Sequence, residues 1–313
     1  MTGGEVDPEL LELAEMMPKR SFSGATLEED RAMMRAMWAK YQRPTGDGIS
    51  REERQVPGRD GDPEVPVILY RPEKPVPGAG AILHIHGGGF IGGAAANTEG
   101  WNRVEAAALG CTVMSVEYRL APETPHPGPV EDCYAALKWL HGAAGELGFD
   151  ATRIAVEGVS AGGALAAALA LLARDRGEIP IAFVSLVYPM LDDRSANATP
   201  DPVTGHIGWT YESNGFGWKS LLGQDACGPD VSPYASAARA TDLTGLPPTF
   251  IGVGALDMLV FENIDYARRL IAAGVPTQLM VYPRAFHGFD IGTARIGEDF
   301  KRDRLESLRR AIA

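Results

Sequence analysis

The chain has 313 residues, 45% hydrophobic and 22% charged, which suits a globular protein with one large α/β domain or a core domain plus a small accessory one. Acidic residues outnumber basic ones 41 to 29, and the net charge of -12 with no Lys/Arg run excludes the phosphate-neutralising surface that a nucleic-acid binder needs. Cys111, Cys133 and Cys227 have no C-x-x-C spacing, so they indicate neither a disulfide framework nor a zinc cluster and best fit a reducing compartment.

The first residues, MTGGEVDPELLELAE, carry acids where a secretory signal would carry lysines and then a long apolar run. The most apolar stretch, 161–173, is too short and alanine-rich to span a bilayer, so a cytoplasmic protein is expected. Helices are predicted over 8–17 and 27–41, the second capped by Thr26 with acids in its first turn. Met33, Met37 and Tyr41, with Met34 and Trp38 beside them, give it a sticky face. Such a face suits packing on a core or an adaptable wall over an apolar substrate.

Strand-like alternation follows at 50–56 and 65–70, then at 81–86, 112–117, 153–157, 182–187, 248–253 and 277–282. Helix-like segments alternate with the later strands, around 98–109, 129–146, 160–174, 261–273 and 296–312. That rhythm predicts a mostly parallel eight-stranded sheet flanked by helices, with ligands at the carboxyl ends of the strands. About sixty residues separate Val187 from Pro248, far beyond an ordinary connection, and they include the aromatic-rich GHIGWTYESNGFGWKSLLG. The expected organisation is a catalytic domain over 49–313, capped by residues 1–48 together with an insertion at about 190–235.

The chemistry concentrates at Gly158-Val159-Ser160-Ala161-Gly162, a G-x-S-x-G pattern with a strand before it and an alanine-rich helix after it. That context makes the motif a nucleophile elbow, a sharp reversal that holds a serine hydroxyl above the sheet edge. A serine needs a base, and the base needs a group that fixes its tautomer. His287 is the one histidine late in the chain, in PRAFHGFD after the last predicted strand. Asp257, after FIGVGAL, is favoured as its partner over Asp192 and Asp193. Glu262 is expected to support this carboxylate from behind. The turn His86-Gly87-Gly88-Gly89-Phe90 bares successive amides, so Gly88, Gly89 and Ala161 are the candidate oxyanion donors, with His86 bracing the loop through its ring.

Two other readings share these residues. Gly87, Gly89 and Gly92 satisfy G-x-G-x-x-G, with Glu117 about twenty-five residues on, as in a dinucleotide fold; the delayed helix and the unused Ser160 weigh against it. His84 and His86 share a strand face but lack a third ligand, so no metal site is assigned.

HGGGF at 86–90, YRLAPE at 118–123, GVSAGG at 158–163, Asp257 and HGF at 287–289 together resemble the hormone-sensitive-lipase-like (bacterial family IV) esterases of the α/β-hydrolase superfamily, from about residue 65 onward. The resemblance implies an α/β-hydrolase fold with a small helical cap and a serine carboxylesterase acting on short-to-medium acyl esters through an acyl-enzyme. It also implies no metal or organic cofactor, and a homodimer formed through the last strand. Ser160, His287 and Asp257 take the triad roles by the same comparison. Amide or formamide hydrolysis would use the same triad, and a related receptor would hold a small ligand without turnover. Two departures are Val159, where many members carry Asp or Thr, and DMLVFE at 257–262, which keeps Asp257, Leu259 and Glu262 of the family pattern. Arg119 and Glu123 are expected to pin loops, and Trp38, Phe90, Trp209 and Phe216 to line the substrate pocket.

Overall fold

A computed structural model describes residues 5–18, 21–41 and 48–312. Its strands are β1 (Ile49–Val56), β2 (Val65–Pro72), β3 (Ala81–Ile85), β4 (Thr112–Val116), β5 (Ile154–Val159), β6 (Phe183–Val187), β7 (Thr249–Gly254) and β8 (Thr277–Tyr282). Its helices are α1 (Leu11–Met16), α2 (Leu27–Tyr41), α3 (Glu99–Leu109), α4 (Gly128–Gly142), α5 (Ala144–Leu147), α6 (Ala161–Arg176), α7 (Tyr211–Leu222), α8 (Val260–Ala272) and α9 (Arg295–Ile312).

The sheet has eight strands in the order β1-β2-β4-β3-β5-β6-β7-β8. β1 and β2 run antiparallel at one edge, and the strands from β4 to β8 are parallel. The five inner parallel strands are buried along their whole length, as continuous runs of Val, Ile and Leu require once helices cover both faces. Side chains alternate between the two cores. Ile82, Ala155 and Phe250 pack with α3 and α9, whereas Leu83, Val156 and Ile251 pack with α4, α6 and α8. α6 is buried from Ala161 to Ala173, which explains why it is apolar on every side and built of small residues.

Register places the functional loops. Ile85 pairs with Gly158, Val159 with Val187, and Gly254 with Tyr282, so the loops after β3, β5, β6, β7 and β8 all leave from one rim. The expected helix over 129–146 is divided at Ala143 into α4 and α5. The long insertion contains α7, a helix that no local pattern announces. Its Gly215 and Gly217 lower helix propensity, yet a Cβ on Gly217 would lie 2.8 Å from the carbonyl oxygen of Gly89. Close approach to the glycine loop, rather than local propensity, decides that residue.

The N-terminal segment meets this insertion directly. Phe22 and Trp209 have ring centroids 5.7 Å apart, and the amide of Phe22 donates to Ser213 Oγ at 3.2 Å.

Candidate active site

Ser160 stands between β5 and α6 with φ 56° and ψ -116°, a conformation that costs a non-glycine residue about 1–3 kcal/mol. Its neighbours hold it there. The Ser160 amide donates to the Val187 carbonyl at 2.8 Å, and its own carbonyl accepts from Ala164 at 3.0 Å and Met190 at 3.2 Å. The reversal is tight enough that a Cβ on Gly158 would fall 2.1 Å from the Gly162 carbonyl oxygen, so side chains are excluded on the inside of the turn.

His287 bridges the serine to an acid. Its Nε2 lies 3.0 Å from Ser160 Oγ and its Nδ1 lies 2.7 Å from Asp257 Oδ2. In the neutral tautomer that satisfies both contacts, Nδ1–H donates to the carboxylate and Nε2 is free to accept the serine proton. Asp257 has no exposed surface, and its other oxygen accepts the Leu259 amide at 3.0 Å. The rival acids are engaged elsewhere: Asp192 with Arg194 at 2.7 Å, and Asp193 with Arg239 at 2.8 Å.

Tyr188, which the sequence reading passed over, packs its ring 4.5 Å from that of His287 and donates its hydroxyl to Asp290 Oδ1 at 2.8 Å. Its position directly after β6, on the rim that carries Ser160, was the available signal. Burial, with Asp290 adding to it, pushes the Tyr188 phenol well above its usual range, so it stays a neutral donor.

The glycine loop lies across the serine. Gly88 and Gly89 have φ of 127° and 62°, and both line the cleft at Ser160. Among the described residues, no backbone acceptor takes the amides of Gly88, Gly89 or Ala161, the last at the first position of α6. Those three amides are therefore available to an oxygen bound at the serine. His86 lies beneath the loop. Its Nδ1 lies 2.8 Å from the Gly87 carbonyl oxygen and its ring stacks on Tyr118 at 4.2 Å. Glu117 accepts the Ala95 amide at 2.6 Å and so ties down the following loop, a structural use different from the ribose contact of a dinucleotide fold. His84 is enclosed in β3, and among the described residues no group of three or more His, Cys, Asp or Glu side chains is placed to hold a metal.

Glu262 acts at one remove. Its Oε1 accepts the amides of Leu191 at 2.6 Å and Asp192 at 3.3 Å, fixing the loop after β6 rather than touching Asp257. Desolvation, with Asp192 and Asp257 adding to it, raises its carboxyl well above the usual range against the pull of those amides.

The expected pocket residues divide. Trp38 and Trp209 line the cleft beside Ser160, together with Met34 and Met37 of α2. Phe90 does not line it. It is fully buried behind the glycine loop, with its ring 5.1 Å from Trp218. Phe216 is also displaced from the cleft and sits beneath Gly24, where an added Cβ would meet its ring at 3.7 Å. Both carry aromatic bulk suited to a pocket, but Phe90 spends it between the glycine loop and α7, and Phe216 against the N-terminal segment at Gly24.

Loop pins are as anticipated. Arg119 grips Asp132 at 2.7 Å, and Glu123 is held by Arg31 of α2, a contact no local pattern announced. Among the described residues no helix is long and apolar enough to cross a membrane.

A family model described as alpha/beta hydrolase fold matches residues 82–291. Carboxylesterase NlhH of Mycobacterium tuberculosis is 35% identical over 286 residues, covering 91% of this chain and 89% of that protein. An arylesterase of Saccharolobus solfataricus is 33% identical over 283 residues, covering 87% and 88%. Among solved structures, a bacterial heroin esterase superposes with a TM-score of 0.92 at 43% identity over 100% of both chains. With its fold, its glycine loop and its elbow in that company, the chain belongs to the hormone-sensitive-lipase-like family of α/β hydrolases.

Proposed function

We propose that this carboxylic-ester hydrolase works through an acyl-enzyme on Ser160, with His287 as base and Asp257 as its partner. The observation that carries this reading is the continuous contact from Asp257 through His287 to Ser160, at 2.7 and 3.0 Å. Ser160 Oγ attacks the ester carbonyl carbon as His287 Nε2 takes its proton, and the new oxyanion accepts hydrogen bonds from the amides of Gly88, Gly89 and Ala161. His287 then gives that proton to the departing alkoxide, and the alcohol leaves. Water repeats the sequence on the acyl-enzyme: His287 takes a water proton and returns it to Ser160 as the acid departs. Asp257 keeps the tautomer and steadies the transient imidazolium. The chain supplies nucleophile, base and donors, and water is the co-reactant.

Short-to-medium acyl groups are the proposed substrates, because the space directly over Ser160 is a cleft of about 80 Å³ closed by Trp209 and the methionines of α2. The N-terminal residues to about 48 and the insertion at about 190–235 are proposed to form one cap, supported by the packing of Phe22 on Trp209. A homodimer through β8 is supported by the strand's unpaired outer edge, with Val281 40% exposed, and by Phe261 and Ile271 on α8 at 62% and 59%. A cytoplasmic location is supported by three unpaired thiols.

Replacing Ser160 by Ala tests the reading. Turnover of a chromogenic short-chain ester should fall about a millionfold, and labelling by a fluorophosphonate should vanish. Near-normal hydrolysis in that variant would refute it.

A further inference from the structure

The segment after β6 grips Ser160 at both ends. The Val187 carbonyl accepts the Ser160 amide at 2.8 Å, and the Met190 amide donates to the Ser160 carbonyl at 3.2 Å. Tyr188 stands between those two anchors, its own amide bonded to the Gly252 carbonyl of β7 at 2.7 Å. Its φ of 34° lies in the left-handed region, where a bulky residue is strained and persists only when its surroundings over-determine it. That backbone carries the Tyr188 ring against His287, with 4.5 Å between centroids.

The far end of the ring is fastened as well. The Tyr188 hydroxyl donates to Asp290 Oδ1 at 2.8 Å, and Asp290 follows His287 by three residues. Gly288, at φ 84°, turns the chain between them, and the Ile291 amide closes that turn on the Gly288 carbonyl at 3.2 Å. Asp290 is 1% exposed, and among the described residues its Oδ2 has no hydrogen-bond partner. A buried carboxyl with one oxygen unmet weakens a fold, so packing alone does not account for an acid there. Its one bond joins the segment that grips the serine to the loop that carries the histidine. That link is separate from the contact between Ser160 and His287.

A second link matters most at one stage of the reaction. In the free enzyme His287 is held within its ring plane from two sides, by Asp257 at 2.7 Å and by Ser160 at 3.0 Å. Once acylated, Ser160 Oγ has no proton to donate, and the bond to Nε2 is gone. The imidazole must then aim at a water with only Asp257 and its ring neighbours to steady it. Of those rings Tyr188 is nearer than Trp209, whose centroid is 6.3 Å away.

We propose that Tyr188 and Asp290 are positioning residues that hold His287 in the acyl-enzyme, so that deacylation depends on them more than acylation does. The proposal rests on the acyl-enzyme reading above. Neither residue exchanges a proton with the substrate. The water proton goes to His287 Nε2 and then to Ser160 Oγ, as the bond from Oγ to the acyl carbon breaks.

4-Nitrophenyl acetate separates the two stages, since kcat/KM covers acylation whereas kcat also includes deacylation. Rates are expressed per active site, counted by complete labelling with a fluorophosphonate, so any loss of folded enzyme cancels. Tyr188→Phe keeps the ring and removes the hydroxyl. Its kcat should fall about tenfold and its kcat/KM less than about threefold, with a burst of 4-nitrophenol matching the labelled sites. Asp290→Leu should reproduce both effects. Asp290→Asn, whose amide oxygen still accepts the hydroxyl, should keep most of kcat, and Tyr188→Phe combined with Asp290→Leu should be no slower than either alone. Unchanged kcat in Tyr188→Phe would overturn the proposal. So would an equal fall in kcat and kcat/KM, the result of a generally loosened site, or a double variant whose losses multiply. A native protein that neither labels nor hydrolyses the ester would instead remove the acyl-enzyme reading, and this proposal with it.

Discussion

Arg31 of α2 and Glu123 of the loop after β4 form a two-pronged ion pair, each guanidinium nitrogen 2.8 Å from a carboxylate oxygen. The same guanidinium donates to the Ile91 carbonyl at 2.6 Å and the Ala121 carbonyl at 3.1 Å, so one side chain ties the N-terminal helix to the end of the glycine loop. The Glu123 side chain is 60% exposed, and solvent screens its part to about 0–1 kcal/mol. The charged bonds to the two carbonyls are better sheltered and carry about 2 kcal/mol. Arg31→Ala should therefore lower the urea-unfolding free energy more than Glu123→Ala does. It should also reduce kcat/KM, because the glycine loop loses its anchor. Arg31 holds the Glu123 carboxyl down to about 2, so the ion pair's share is present above the ordinary glutamate range and fades as pH falls toward 2. Equal destabilisation by the two variants would show that the ion pair, not the carbonyl contacts, carries the clamp.

Asp257→Asn should leave the fold in place and lower kcat about ten-thousandfold. An amide can meet the imidazole at 2.7 Å by donating its own N–H to Nδ1, and that leaves the proton of neutral His287 on Nε2, facing the serine. The serine then has no acceptor for its proton. Steady-state kinetics on a short-chain ester checks this; a loss below about tenfold would assign the orienting role elsewhere.

Ser160 and the glycines 87–89 were legible in the sequence because each answers to a backbone demand, a reversal at φ 56° for Ser160 and bare amides after β3 for the glycines, and His287 because it is the one histidine late in the chain. Register then did the rest, since strands that end at Ile85, Val159 and Val187 deliver their loops to one rim whatever the loops contain. Phe90 and Phe216 were misplaced because aromatic bulk carries no sign of the side it faces; Phe90 is fully buried against Trp218. α7 was missed because its glycines serve contact with a distant loop. Arg31 was invisible for the same reason, its partner lying 92 residues away in the chain, and Tyr188 offered only its place after β6, since its partner lies 102 residues on.

Gly89→Ala tests the glycine loop. The residue has φ +62°, and an added Cβ would lie 2.3 Å from the Trp209 ring. Both the backbone and the indole would have to move, and the loop carries the amides that should meet the oxyanion. kcat should fall about a hundredfold to a thousandfold, as it does when one oxyanion donor is lost. Adding Trp209→Phe should relieve the ring contact and leave the backbone strain. Recovery of part of the loss apportions it to the clash, and full activity of Gly89→Ala alone would mean that the loop does not hold the oxygen.

The histidines beneath the loop make the fold sensitive to acid. His86 is buried against Tyr118, and burial lowers its pKa to about 4 although its bond to the Gly87 carbonyl pulls the other way. His84, also enclosed, is lowered to about 3 by burial, with Arg304 and His86 adding. Both fold as neutral rings, whereas in the unfolded chain they protonate near 6.5. The folded pKa lies below the unfolded one, so stability is full above about pH 6.5 and is lost as pH falls through 6 and 5 toward 4. For His86 the loss by pH 4 is about 3 kcal/mol. Each ring should therefore pull down the unfolding free energy from urea titrations between about pH 6.5 and 4.5, a loss read by comparing the native protein with a variant that lacks the ring. In His86→Asn, whose amide can still donate to Gly87, the slope should ease by about one proton, near 1.4 kcal/mol per pH unit. An unaltered slope in that variant would mean that His86 is already charged in the folded protein, and the brace under the glycine loop would have to be an imidazolium.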